Sequence, residues 1–190
     1  MLRAARALIA LTMLLLAGCA SDKMTSISEP PIVAAAPADQ AVIVFVRPSL
    51  FGGAIQSVVY DVSGDTPALV GIVSSGTKIA YAVPPGTHRF MVVSEAADFM
   101  DAEVAAGKTY YTLVTVRPGW WRARFSLLPV PPGAPDLADQ LKGCSWVDNT
   151  PASQQWAHDN MPSVQRREAE YLPKWLAKTD KPLLHVSDAQ

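Results

Sequence analysis

The chain has 190 residues, enough for one ordinary domain with a small appendage. Apolar residues make up 49% of the chain and charged residues 17%, so it can bury a core and is not disordered throughout. Sixteen basic residues against seventeen acidic ones give a net charge of −1, which argues against a nucleic-acid partner. The two cysteines exclude a disulfide-dense scaffold, and sixteen prolines argue against an all-helical bundle.

The N-terminus has the pattern of a secretory signal. Arg3 and Arg6 precede an apolar run over residues 7–16 that only Thr12 interrupts. A bilayer-spanning helix needs about 20 apolar residues, so this run is too short to be one. Small residues then lead into a cysteine, in the sequence Leu16-Ala17-Gly18-Cys19.

These four residues resemble the lipobox of bacterial lipoprotein precursors. The resemblance implies cleavage of a signal peptide over residues 1–18, a diacylglycerol thioether on Cys19 and an acyl chain on the new amino terminus. Two or three chains anchor a protein stably, because each buried methylene contributes about 0.8 kcal/mol. We therefore expect a membrane partner and an envelope location. Since no Asp directly follows Cys19, the resemblance indicates the outer membrane, facing the periplasm.

The composition changes after residue 40. Residues 19–40 are rich in Ala, Pro and Ser without apolar periodicity, which predicts a linker behind the lipidated cysteine. Over residues 41–130, short apolar runs alternate with turn residues, which predicts a mainly β domain, a small antiparallel β-sandwich of about seven to eight strands. The predicted strands are Val42–Arg47, Ile55–Val62, Ala68–Val73, Lys78–Val83, Thr87–Ser94, Ala102–Val104, Thr109–Arg117 and Trp120–Leu128.

Three short motifs of this domain carry a second resemblance. Arg47-Pro48, the turn Val83–His88 and the segment Ala106–Tyr111 resemble, in this order, a family of bacterial lipoproteins of unknown function. The second and third motifs are also similar to PEGA-type β-sandwich modules. The resemblance implies an envelope β-domain without an established activity.

The sequence of residues 131–190 predicts a Pro-rich connector and a short helical tail. Asp136 is predicted to cap a helix that runs to Lys142, and Thr150 to cap a second one. Pro173 is expected to kink or split the last helix. We expect this tail to pack on the sandwich, with a mobile partner-binding arm as the alternative.

No catalytic or metal-binding motif is present. The histidines His88, His158 and His185 are far apart in sequence, and HExxH, CxxC and GxSxG are absent, so we expect no metal and no cofactor besides the lipid. A hydrolase that uses a serine or Cys144 is the least favoured function. We expect Cys144 to be buried, His88 to point into solvent and carboxylates such as Asp98 to be solvated.

The segment after Arg117 is the candidate binding surface. In an extended strand, alternation puts Trp120, Arg122 and Arg124 on one face, together with Ser126. An exposed tryptophan beside two guanidiniums suits a sugar ring, an anionic group or a protein partner. Alternatively, the C-terminal helices cover these side chains. The sequence thus favours a non-enzymatic structural or interaction module, with a glycan- or anionic-polymer-binding lipoprotein as the alternative.

Overall fold

The computed structural model describes residues 23–48, 55–117 and 124–190, and within them the chain is mainly β with a helical C-terminal part, as predicted. The strands are β1 (Met24–Ser26), β2 (Ala41–Arg47), β3 (Ser57–Asp61), β4 (Ala68–Val73), β5 (Thr77–Val83), β6 (Gly86–Val93), β7 (Ala97–Val104), β8 (Thr109–Arg117), β9 (Arg124–Pro129), β10 (Ser145–Asn149) and β11 (Leu183–Leu184). The helices are α1 (Pro31–Ala34), α2 (Leu137–Lys142) and α3 (Pro151–Leu176), followed by a 3-10 turn at Val186–Asp188.

The strands form two sheets. The first sheet has the order β1-β10-β5-β2-β8-β9, and the second has the order β11-β7-β6-β3-β4. Both sheets are mixed rather than antiparallel throughout, because β2 pairs with β8, β10 with β5 and β11 with β7 in parallel. Between β2 and β8 the chain builds most of the second sheet, and this long connection makes parallel pairing possible.

Apolar side chains fill three interfaces, so the body has four layers. Between the sheets lie Ile43 and Phe45 from the first sheet and Val92 and Met100 from the second. The outer face of the second sheet packs against α3. On the outer face of the first sheet, Val42 and Val44 pack with side chains from α1 and from the segment around Cys144. The strand β2 is therefore apolar on both faces because both of its faces are covered.

The helix α3 begins as its sequence predicts. The Thr150 hydroxyl accepts from the Ser153 amide, and Pro151 occupies the first turn. The expected split at Pro173 does not occur, since the helix runs to Leu176 through both Pro162 and Pro173. Buried side chains on either side, Val164 and Trp175 among them, pack on the second sheet and stabilise the helix despite the lost hydrogen bonds.

The described part of the expected linker belongs to the body. Strand β1 pairs with β10, and the Thr109 hydroxyl donates to the Val33 carbonyl oxygen at 3.2 Å. Val33 itself is buried against the first sheet. The prediction of a free linker is therefore wrong for residues 24–34. A three-residue strand and a four-residue helix are too short to show a period in the sequence.

Candidate anion-binding cleft

A buried carboxylate lies where β7, β8 and β9 meet the segment after α3. Asp98 is 5% exposed, and its oxygens accept from Arg117 at 2.9 Å, Lys178 at 3.0 Å and Ser126 at 2.8 Å. The expectation of a solvated carboxylate is thus wrong for Asp98. Two cations and a hydroxyl replace its water, which is how a buried charge becomes tolerable.

Two arginines face each other across the end of the β8–β9 hairpin. Arg117 and Arg124 are direct partners in the antiparallel register. Like charges in directly opposed positions destabilise a strand pair. Arg117 is neutralised by Asp98, whereas Arg124 is exposed and has no ion pair within the part of the chain that the structure describes. The hairpin end therefore carries a positive charge without a counterion in these residues.

The two arginines line a cleft of about 440 Å³. Its charged lining consists of four cations and two carboxylates, namely Arg117, Arg124, Lys174, Lys178, Asp98 and Glu170. A second cleft of about 560 Å³ shares Asp98, Arg117 and Lys178 with the first and adds Lys181 and Asp180. The clefts are therefore continuous, and cations outnumber carboxylates in the first of them.

Trp175 forms the apolar wall of the first cleft. Its side chain is 1% exposed and packs 5.8 Å from the Phe99 ring, between centroids. The Arg89 guanidinium lies 5.0 Å from its ring centroid, held in place by two hydrogen bonds to Asp101. The indole N–H has no acceptor among the described residues. Trp175 thus contributes packing to the cleft wall, and its indole N–H is buried.

The structure describes only part of the predicted binding surface. Arg124 is exposed and lines the cleft, whereas Trp120, Arg122 and the predicted lipidation site Cys19 lie outside the described residues. Ser126, expected on the exposed face, is buried against Asp98 instead. The sequence analysis missed the lysines at 174, 178 and 181. Helical spacing could not have grouped them, because only Lys174 lies on α3, while Lys178 and Lys181 follow its end at Leu176.

Cys144 does not have the surroundings of a nucleophile. As expected, Cys144 is buried, and it packs against the outer face of the first sheet. His158 is exposed on α3, which covers the second sheet. Burial raises the pKa of the Cys144 thiol, and the charge of Lys78 offsets this only in part. At neutral pH the thiol therefore keeps its proton.

We expect iodoacetamide at pH 8 to alkylate Cys144 at least about a hundredfold more slowly in the native protein than in urea, because a local opening must precede the reaction. Mass spectrometry of a Cys19→Ala chain, in which Cys144 is the remaining cysteine, measures both rates. Equal rates in the two states would contradict the burial and reopen the hydrolase alternative.

Ser63, His88 and Asp61 lie close together near the turn that precedes β6, but they do not form a catalytic triad. Both the Ser63 hydroxyl, at 3.4 Å, and the Asp61 carboxylate, at 3.7 Å, face Nδ1 of His88, while Nε2 lies 2.8 Å from the Pro84 carbonyl. In a triad the serine and the acid bind opposite ring nitrogens. The His88 side chain is only 11% exposed, so the prediction that it points into solvent is wrong. The turn itself explains this, because it folds the ring back onto Pro84 and Phe90.

Within the described ranges, no three His, Cys, Asp or Glu side chains lie close enough to share a metal ion. Of the helices described, none combines the length and apolar character that crossing a membrane requires. The chain matches no protein-family model, and a search of curated proteins finds no similar sequence. The resemblance to envelope lipoproteins with PEGA-like modules therefore stays a prediction.

Proposed function

We propose that this protein is a bacterial envelope lipoprotein, held in the outer membrane by lipid on Cys19, that acts as a non-enzymatic interaction module for an anionic polymer. The observation that supports binding is the opposed pair Arg117 and Arg124 at the mouth of a cation-lined cleft. The lipobox at Leu16–Cys19 supports the anchor. No cofactor besides the covalent lipid belongs to this proposal.

An anionic group in the cleft would supply a counterion for Arg124, which lies opposite Arg117. The group would accept hydrogen bonds from Arg124 and from Lys174, which would exchange its ion pair with Glu170 for the ligand. Hydrogen bonds between ionised partners are roughly twice as strong as neutral ones. Binding at such an exposed site falls as salt screens the charges.

The continuity of the two clefts favours a polymer over a single ion. The ion pairs of Asp98 with Arg117 and Lys178 lie in both clefts, and in the second cleft three cations, Arg117, Lys178 and Lys181, face two carboxylates, Asp98 and Asp180. A chain that carries sulfate, phosphate or carboxylate groups at regular intervals would place one charge in each cleft. A neutral glycan stacked on Trp120 is the alternative, and a protein partner would require a different assay.

Dextran sulfate and neutral dextran are a suitable pair of probes, because they share a backbone and differ in charge. We expect the full-length protein to bind dextran sulfate and not dextran, with affinity falling as salt rises. The double variant Arg124→Gln with Lys174→Gln should lose about tenfold or more in affinity, since each removes a charge-assisted contact. Both side chains are exposed, so the fold should be unaffected.

The matched control is Lys108→Gln with Lys142→Gln, which removes the same charge from exposed positions outside the lining of both clefts. This control should bind dextran sulfate as the wild type does. An equal loss in both double variants would mean that net charge alone attracts the polymer, and the proposed site would be wrong. Equal binding of neutral dextran would favour the glycan alternative.

A further inference from the structure

A separate cavity of about 260 Å³ lies between α3 and the outer face of the second sheet. Its apolar walls are Val58 and Tyr60 from β3, Val93 from β6, and Trp156 and Val164 from α3. One cation, Arg167, and one anion, Glu95, belong to the lining, so the cavity carries no net charge. This distinguishes it from the cationic cleft at the other end of α3.

The Tyr60 hydroxyl is the unusual group in this cavity. Tyr60 is 0% exposed, and its hydroxyl has no hydrogen-bond partner among the described residues. The register of β3 against β4 shifts between Val59 and Tyr60, and such irregularities redirect side chains. Leaving a buried hydroxyl unpaired is costly, so a tyrosine here, rather than a phenylalanine, calls for a partner.

Two polar side chains of the lining have partners of their own. Asn160 donates to the Trp156 carbonyl at 2.8 Å, and Arg167 donates to the Ser163 hydroxyl at 3.0 Å. Burial raises the pKa of Tyr60 to about 12, so the hydroxyl keeps its proton and can donate it to an acceptor. A water molecule would need two to four polar partners, and the side chains of Val58, Val93 and Val164 in the lining supply none.

We propose that this cavity binds a small uncharged organic molecule with an apolar body and one carbonyl- or ether-type acceptor, which takes the hydrogen bond of Tyr60. The apolar body lies against the valines and Trp156, and the acceptor oxygen points towards β3. The lack of net charge in the lining excludes a preference for an ionised ligand. This inference does not depend on the function proposed for the cationic cleft.

Acetophenone and α-methylstyrene test the proposal, because they have the same shape and only acetophenone carries an acceptor oxygen. In ligand-observed NMR on the full-length protein, we expect acetophenone to bind about tenfold more tightly, the contribution of one buried hydrogen bond. In Tyr60→Phe this preference should vanish, while thermal stability stays equal or rises because the unpaired hydroxyl is gone. Binding of the two probes to lipid does not affect the comparison, because wild type and Tyr60→Phe are measured under identical conditions.

Tyr111→Phe is the matched control, since Tyr111 is a half-buried tyrosine on the outer face of the first sheet. It should keep the preference for acetophenone. The wild-type measurement alone is decisive: no binding of acetophenone would show that the cavity holds water only. Equal binding of both probes, or a preference that survives Tyr60→Phe, would also overturn the proposal. Arg124→Gln with Lys174→Gln should leave acetophenone binding unchanged, which separates this site from the cleft.

Discussion

In cells that express Cys19→Ala, we expect the protein to leave the membrane fraction and to incorporate no tagged fatty acid. The sulfur of Cys19 is the proposed attachment point of the diacylglycerol, and without it the second acyl chain is not added either. Two or three acyl chains bind a membrane stably, whereas the body without them has 14 basic and 17 acidic residues after residue 18, a net charge of −3 that does not attract it to an anionic leaflet. Fractionation and lipid labelling in the same culture measure both effects, and we expect each to be near-complete.

Cys144→Ala is the matched control, because it removes the other cysteine of the chain. It should keep both the lipid label and the membrane association, since Cys144 is buried in the body. If the Cys19→Ala protein stays in the membrane fraction without label, the lipoprotein proposal is wrong. A mature N-terminus at any other residue would lead to the same conclusion.

The largest loss of stability is expected for Arg47→Met. Arg47 ends β2 and is 0% exposed, and its Nη1 donates to the Ile55 carbonyl at 2.8 Å and to the Val73 carbonyl at 3.3 Å. The guanidinium also lies 4.5 Å from the Phe125 ring centroid. These contacts join the first sheet to the edge of the second. Methionine keeps the apolar stem but removes the donor of the part-buried Ile55 carbonyl, while the Val73 carbonyl keeps the Ser57 hydroxyl, so we expect a loss of about 1–3 kcal/mol.

Urea unfolding measures this loss, and Arg166→Met is the matched control because Arg166 is exposed on α3. A surface change of this kind should stay within about 0.5 kcal/mol of the wild type. Arg47→Lys should be intermediate, because an ammonium keeps the charge but cannot reproduce the planar fork of donors. Wild-type stability in Arg47→Met would mean that Arg47 does not connect the sheets energetically.

Strand positions were largely predictable, because alternation and turn residues act over a few neighbours. The predicted strand Thr109–Arg117 matches β8, and Val42–Arg47 differs from β2 by one residue. The turn before β6 is also as expected, since Gly86 has a φ of 134°, which only glycine adopts readily. The start of α3 at Pro151 follows from the Thr150 cap, which is equally local.

The candidate cleft was predictable only at Arg124. The charge of an arginine in a strand is visible in the sequence, but its opposition to Arg117 depends on the register of the hairpin. Asp98 and Lys178 are 80 residues apart, and their ion pair exists because α3 ends above β7. No local pattern contains that information.

By itself, the sequence determined eight of the eleven described strands, β2 to β9, and where the long helix begins, because backbone preference and apolar alternation are properties of neighbouring residues. Only the tertiary structure decided that β2 and β8 run in parallel, that Asp98 is buried and that residues 24–34 pack on the body. Burial and strand pairing depend on which distant segments cover a residue. Two carboxylates with similar neighbours, such as Asp98 and Glu103, therefore end up in opposite environments, one buried and one exposed.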